Sequence, residues 1–237
     1  MKTFFIFLFI INCSQVFAQQ TIINDKNAEE RPVTTFTGIK VSGGIDVYLS
    51  EGDNYSLAVS ASEDKYRDNI KTEVNNGVLV ISYNNDHSIW NSGNKKLRVY
   101  ISFQLLQRIE GNGACEFIIN GMLNENALLV KLSGACNIKG LVKITNLTLE
   151  LSGASTVKIN GTAQNLKLTA NGASDVKNYD LRAENCVAKL SGASDVRITV
   201  SNSISASASG TSTLYYQGNP DKKTMATSGA STISQRK

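Results

Sequence analysis

Three groups of side chains could do chemistry, judged by type and spacing. The first is thiols. Cys115 and Cys136 each stand two residues after a glycine, Gly113 and Gly134, where later segments place Ser155, Ser174 and Ser194. If those segments stack in register, the two thiols lie about 4.8 Å apart, one strand spacing. A disulfide can span that separation, and an exported chain would meet oxidising conditions. Two small side chains filling a corner is the other reading. Cys186 shares a column with Leu128, Leu147 and Leu166 and reads as a buried core thiol. With no CxxC pair and a single distant His87, these cysteines do not compose a zinc site, and no cofactor is implied.

The second group is charged. Lys139, Lys158, Lys177 and Arg197 recur at one offset from successive glycines. Such a column could meet an anionic glycan or lipid surface. It could equally be a solubilising face that blocks sheet-to-sheet aggregation. Asp175 and Asp195 share a neighbouring column with Glu116, Asn137 and Thr156. A cation or an acid–base pair is one reading there. The interleaved neutral residues favour a solvated edge whose side chains bond corner amides.

The third group is aromatic. Trp90, the only tryptophan, stands beside Ile89 and His87 in the polar stretch 84–96. An exposed tryptophan stacks on sugars or anchors a protein contact; folded back, it would cap one end of the fold. Tyr215 and Tyr216 pose the same choice near the other end. Carboxylates are scattered, and no Ser-His-Asp order, phosphate loop or dinucleotide fingerprint occurs. The expectation is a non-enzyme.

These residues are positioned by one stretch that recurs seven times, beginning at Gly113, Gly134, Gly153, Gly172, Gly192, Gly210 and Gly229, with successive spacings of 21, 19, 19, 20, 18 and 19. A fixed period near 20 residues marks a solenoid. Around each glycine the apolar residues alternate. Leu147, Leu149 and Leu151 precede Gly153, and Val157 follows it; Thr148, Glu150 and Lys158 take the polar positions between. Period-two alternation denotes strands with one buried face. Each repeat is therefore expected to hold two short strands meeting at a Ser-Gly-Ala corner. A second turn, near Ile159–Thr162 in one repeat and Tyr216–Pro220 in another, closes the rung. The predicted fold is all-β: a right-handed parallel β-helix, or β-solenoid, with rungs of about 20 residues sharing one core.

The chain opens with Lys2, an apolar run from Phe4 to Ile11, and Val16-Phe17-Ala18. That is the pattern of a secretory signal over residues 1–18. Ile10-Ile11-Asn12 departs from the small residues that precede a lipidated cysteine, so a lipid on Cys13 is the weaker reading. Removal of the signal leaves 23 basic and 20 acidic residues, a balance too mild for a nucleic-acid partner. No later stretch could span a bilayer. Residues 19–30 read as a flexible lead-in. Residues 31–106 read as an irregular β region, continuous with the regular rungs of 107–235. Within it, Gly43 looks like an early corner, Asn75-Asn76-Gly77 a tight hairpin turn, and 63–69 a helical turn.

The pattern Arg31-x-Val33-x-x-Phe36-x-x-Ile39-x-Val41-x-Gly43, the Leu97-x-Val99-x-Ile101 strand and the serial Ser-Gly-Ala-Ser-Asp-Val corners resemble the bacterial head GIN domain family, over about residues 31–235. Members of that family are labelled auto-transporter adhesins. The resemblance implies a β-helical, exported protein and supplies no catalytic residues. Self-transport would need a membrane barrel, for which this chain has no room. The resulting expectation is an adhesin-like binding module in the periplasm, at the cell surface or outside the cell, with a glycan or protein ligand. Its candidate contacts are Trp90, His87, Tyr215, Tyr216, Lys139, Lys158, Lys177 and Arg197. A structural envelope protein that self-associates into homo-oligomers is the alternative. A polysaccharide-acting enzyme stands third.

Overall fold

The computed structural model describes residues 25–84 and 95–237; the signal segment and the stretch bearing Trp90 and His87 lie outside them. The strands are β1 (Glu29–Arg31), β2 (Gly38–Gly43), β3 (Asp46–Glu51), β4 (Ser56–Ser60), β5 (Ile70–Asn75), β6 (Val78–Tyr83), β7 (Arg98–Phe103), β8 (Arg108–Gly113), β9 (Glu116–Gly134), β10 (Asn137–Leu151), β11 (Thr156–Ala170), β12 (Asp175–Leu190), β13 (Asp195–Ala208), β14 (Thr213–Gln217), β15 (Lys222–Thr227) and β16 (Thr232–Gln235), with one helical turn, α1 (Asp64–Arg67), after β4.

They form a β-solenoid of about 7 turns with rungs of about 19 residues. Alternation sets which side chains face in. Ile138, Val157, Val176, Val196 and Leu214 pair rung to rung and are buried. So do Leu128, Leu147, Leu166, Cys186 and Ile204. Each fully buried Leu, Ile or Val contributes about 1.5–3 kcal/mol, and stacking lets every rung seal its neighbour's core.

The corners are built from two ladders. Each glycine sits on the glycine of the preceding rung. At Gly172 (φ +73°) a Cβ would stand 2.6 Å from the Gly153 carbonyl oxygen, so neither the conformation nor the space admits a side chain. Two residues on, Ser155, Ser174, Ser194 and Ser212 point inward, and their hydroxyls donate to the carbonyls of Ser152, Asn171, Ser191 and Ser209 at 2.7–3.1 Å. That local bond satisfies an otherwise costly buried hydroxyl.

The second turn differs from expectation. Between corners the chain runs as one strand, 15 residues in both β10 and β11. It bends at Gly161 (φ +118°) without leaving the ladder. A side chain at Gly161 would fall on the Val142 carbonyl. Bending keeps backbone groups paired where a loop would release them.

The N-terminal region inverts the order of the chain. Gly43 stacks beneath Gly113 as a true corner, so β2 and β3 form one rung below β8 and β9. β6 and β7, later in sequence, lie on the far side of β2 and β3. Thus β7 does not lead spatially into the first regular rung. Beyond it, β4 runs antiparallel on β7, β1 antiparallel on β4, and β5 antiparallel on β6 through the Asn76-Gly77 turn. The lead-in from Asp25 onward is held in place. The Asp25 carboxylate accepts a hydrogen bond from the Tyr100 hydroxyl at 2.8 Å and pairs with Arg98 at 3.3 Å.

At the C-terminal end, β15 lies on β13 and β16 on β14, and no described strand pairs with their outer edges. Lys223, Met225 and Thr227 take the inward register of Ile204, Ala206 and Ala208, and every residue of β15 is exposed. This polar last rung has the character of a terminal repeat.

Candidate functional site

The basic column stands on the outer face as expected, and most of it is internally neutralised. Lys139 pairs with Glu116 of the preceding rung at 2.6 Å, Lys177 with Asp175 at 2.9 Å and Arg197 with Asp195 at 3.0 Å. The hydrogen bond to Glu116 lifts the Lys139 ammonium pKa. The acidic and basic columns therefore satisfy each other, and Lys158, beside the neutral Thr156, has no such partner among the described residues.

The tyrosines divide. Tyr215 faces outward beside Arg197, with the Arg236 guanidinium 4.0 Å above its ring. Tyr216 is 3% exposed and belongs to the core, because alternation from Leu214 turns it inward. It offers no surface to a ligand. Trp90 and His87 lie outside the described residues.

Cys115 and Cys136 are buried free thiols, not a disulfide. Each continues the serine ladder: Cys115 Sγ donates to the Asn112 carbonyl at 3.4 Å and Cys136 Sγ to the Ser133 carbonyl at 3.3 Å. Donation of a hydrogen bond to Cys136, and then burial, push the Cys115 thiol far above its ordinary range. Cys186, alone in the apolar column, is pushed up to about 12 by burial. The hydrogen bond from Cys115 draws the Cys136 thiol down to about 7, so thiolate character in this pair belongs to Cys136, while buried Cys186 has none. Among the described residues no three His, Cys, Asp or Glu side chains converge as a metal-binding group.

A concavity lies on the short third side of each rung, between the bend and the strand that returns to the corner. It is a groove of about 600 Å³ running across five rungs. Along one wall, Asn124, Lys143, Thr162, Arg182 and Thr199 are neighbours in register. Thr145, Gln164, Glu184 and Ser201 line the other part. Outside the groove runs a ladder of amides. Asn165 Nδ2 donates to Asn146 Oδ1 at 3.0 Å, Asn185 to Asn165 at 3.1 Å and Asn202 to Asn185 at 2.7 Å. Continuous hydrogen bonding of this kind holds the bend, and so the groove wall, in one geometry.

A second hollow of about 710 Å³ adjoins the first and shares Asn124 and Lys143 with it. One of its carboxylates is turned onto backbone: Glu51 Oε2 accepts from the Asn124 N–H at 2.9 Å. Close by, Glu125 Oε1 accepts from the Leu106 N–H at 2.7 Å. Burial, together with the charge of Glu51, raises the Glu125 carboxyl pKa above its usual value. On the outer rim, Met122 (50% exposed) and Leu141 (39%) are paired neighbours. The sequence reading missed this site. The recurrence of Asn146, Asn165 and Asn185, at the repeat's own period, was the signal that could have found its wall.

A sequence profile of the family described as "Putative auto-transporter adhesin, head GIN domain" matches residues 35–220. The chain belongs to this family. Solved structures with the same fold include a protein described as a putative adhesin from Bacteroides fragilis NCTC 9343, 24% identical, with a TM-score of 0.82 over 88% of this chain and 96% of that one. A second, described as a putative lipid binding protein from Parabacteroides distasonis ATCC 8503, is 17% identical with a TM-score of 0.67 over 90% of this chain and 98% of its own. A third, a putative adhesin from Parabacteroides merdae ATCC 43184, is 15% identical with a TM-score of 0.64, over 89% of this chain and 95% of that one. No curated protein matches the sequence.

Proposed function

We propose that this member of the head GIN domain family is an exported, surface-exposed binding module, and that its ligand is a glycan chain lying in the third-side groove. The observation that carries this reading is the groove itself. It is long and open, lined by hydroxyl, amide and charged side chains at rung spacing, and backed by a rigid amide ladder. An extended sugar chain offers hydroxyls at a comparable repeat, and sites on rigid strands need little reorganisation to bind. The outer basic column is a poorer candidate, since three of its four cations already hold an acid. Trp90, His87 and Tyr215 remain rival contacts.

The test is saturable binding of the protein to a panel of envelope and host polysaccharides, with Gln164→Ala, Thr162→Val and Trp90→Ala compared. Loss of binding in the groove variants with retention in Trp90→Ala supports the groove. Binding abolished by Trp90→Ala and untouched by the groove variants would move the site to the 84–96 stretch.

A second reading is favoured by one observation, the unpaired outer edges of β15 and β16. Exposed parallel edges are templates for pairing, which would make the protein a self-associating envelope component. Sedimentation across a wide concentration range separates the two readings: an unchanging monomer excludes self-association through this edge.

A further inference from the structure

We infer that the groove ligand is an acidic polysaccharide carrying a carboxylate on alternate sugars, held at Lys143 and Arg182; this rests on the groove being the binding site. Both cations point outward in one register column with Thr162 between them. Two strand spacings separate them, about 9.6 Å along the solenoid axis. Successive acidic sugars of an alternating copolymer recur at a comparable separation. The intervening neutral sugar then meets the Thr162 hydroxyl and the Gln164 amide.

The charge pattern supports an anion. On the outer face, the cations at 139, 177 and 197 are consumed by acids of the same fold. Lys143 and Arg182 are exposed within a concave site and form no ion pair among the described residues. Glu51 and Glu125 accept hydrogen bonds from the backbone amides of Asn124 and Leu106 and pair with neither Lys143 nor Arg182, which leaves both cations available to an anion. A guanidinium binds a carboxylate in bidentate fashion, and both partners gain from the reduced water access of a groove. Met122 and Leu141 at the rim can cover the C–H face of a sugar. A nucleic acid fits less well, because its phosphates are far denser than two cations can neutralise. Glu125 and Glu184 are the carboxylates of the groove lining and oppose an acidic ligand; Glu125 is tied to the Leu106 amide at one end, and Glu184 stands two residues from Arg182.

The test is calorimetric titration of the protein with hyaluronan, which has a uronate on every second sugar, with polygalacturonate, which has one on every sugar, and with neutral dextran. The expected result is preferential binding of hyaluronan, weakening as salt rises. Lys143→Ala and Arg182→Ala should each lose about tenfold in affinity, the scale of one charge-assisted hydrogen bond. Lys143→Arg should retain affinity, and Glu184→Gln should tighten it severalfold. All three side chains are surface groups, so circular dichroism should be unchanged. Equal affinity for polygalacturonate overturns the alternate-sugar spacing. Binding to dextran alone, insensitive to salt and to Lys143→Ala but lost in Gln164→Ala, overturns the acidic class and leaves the groove standing. Absence of binding to all three polymers, or binding that no groove variant alters, overturns the inference and the groove reading together.

Discussion

Replacing Gly172 by alanine tests the architecture at its most constrained point. The residue sits at φ +73°, a conformation that costs an L-residue about 1–2 kcal/mol. The new methyl would also stand 2.6 Å from the Gly153 oxygen and 3.1 Å from its nitrogen. Both are backbone atoms within a ladder and cannot turn aside, so the rungs must separate locally. Separation weakens the hydrogen bond from the Ala173 amide to the Gly153 carbonyl, now 2.8 Å, and disturbs the Ser174 hydroxyl beside it. A lost hydrogen bond costs about 1 kcal/mol. The total is about 3–4 kcal/mol, a large share of the 5–15 kcal/mol typical of a domain. Gly77 is the control: φ is +74°, yet nothing lies within 4 Å of its would-be Cβ, so Gly77→Ala should cost only the conformational part. Gly229, in the last rung, has a looser gap of 2.9 Å and should fall between the two. In urea unfolding followed by circular dichroism, the midpoint of Gly172→Ala should lie about 1 M below that of Gly77→Ala, for a slope near 2 kcal/mol/M. Equal midpoints would refute the claim that stacked glycines are required by rung-to-rung contact.

The serine ladder predicts that Cys136→Ser is nearly neutral, because Ser155 makes the same bond one rung on, whereas Ser174→Ala costs about 1 kcal/mol; urea midpoints compare them. Peptide mapping without reductant should recover Cys115 and Cys136 as free thiols, and a linked peptide would contradict the arrangement. The Tyr100–Asp25 clasp should loosen in alkali. Burial, then the hydrogen bond to Asp25, raise the Tyr100 hydroxyl from 10.0 to about 12. Because the folded state holds this proton more tightly, the stabilisation is complete below pH 10 and is lost as pH rises through about 12. Hydrogen exchange of the β1 amides should accelerate across that window in the native protein, and Tyr100→Phe should show the faster rate already at neutral pH.

Much of this protein is legible because its rules are local. Alternation decides which side chains face the core, and it reads directly from Leu147-Thr148-Leu149-Glu150-Leu151. The glycine period places the corners from Gly113 onward, the motif Ser42-Gly43-Gly44-Ile45-Asp46-Val47 marks the early one, and Asn75-Asn76-Gly77 announces its hairpin. Alternation from Leu214 also turns Tyr216 inward and Tyr215 outward, so the division of the two tyrosines is itself legible in the sequence. The sequence pattern further determined that successive repeats stack in parallel, since a one-residue slip would turn every apolar side chain outward.

Tertiary structure alone decided which strands became neighbours and what surface resulted. β2 offers equivalent hydrogen-bonding edges to β6 and β8, and no local pattern distinguishes a rung inserted below from one added above. The basic column looked like a ligand face because sequence lists Lys139 far from Glu116; the ladder sets them 2.6 Å apart. The groove exists only where bends of several rungs align, so Lys143 and Arg182, 39 residues apart in the chain, become one site through stacking alone.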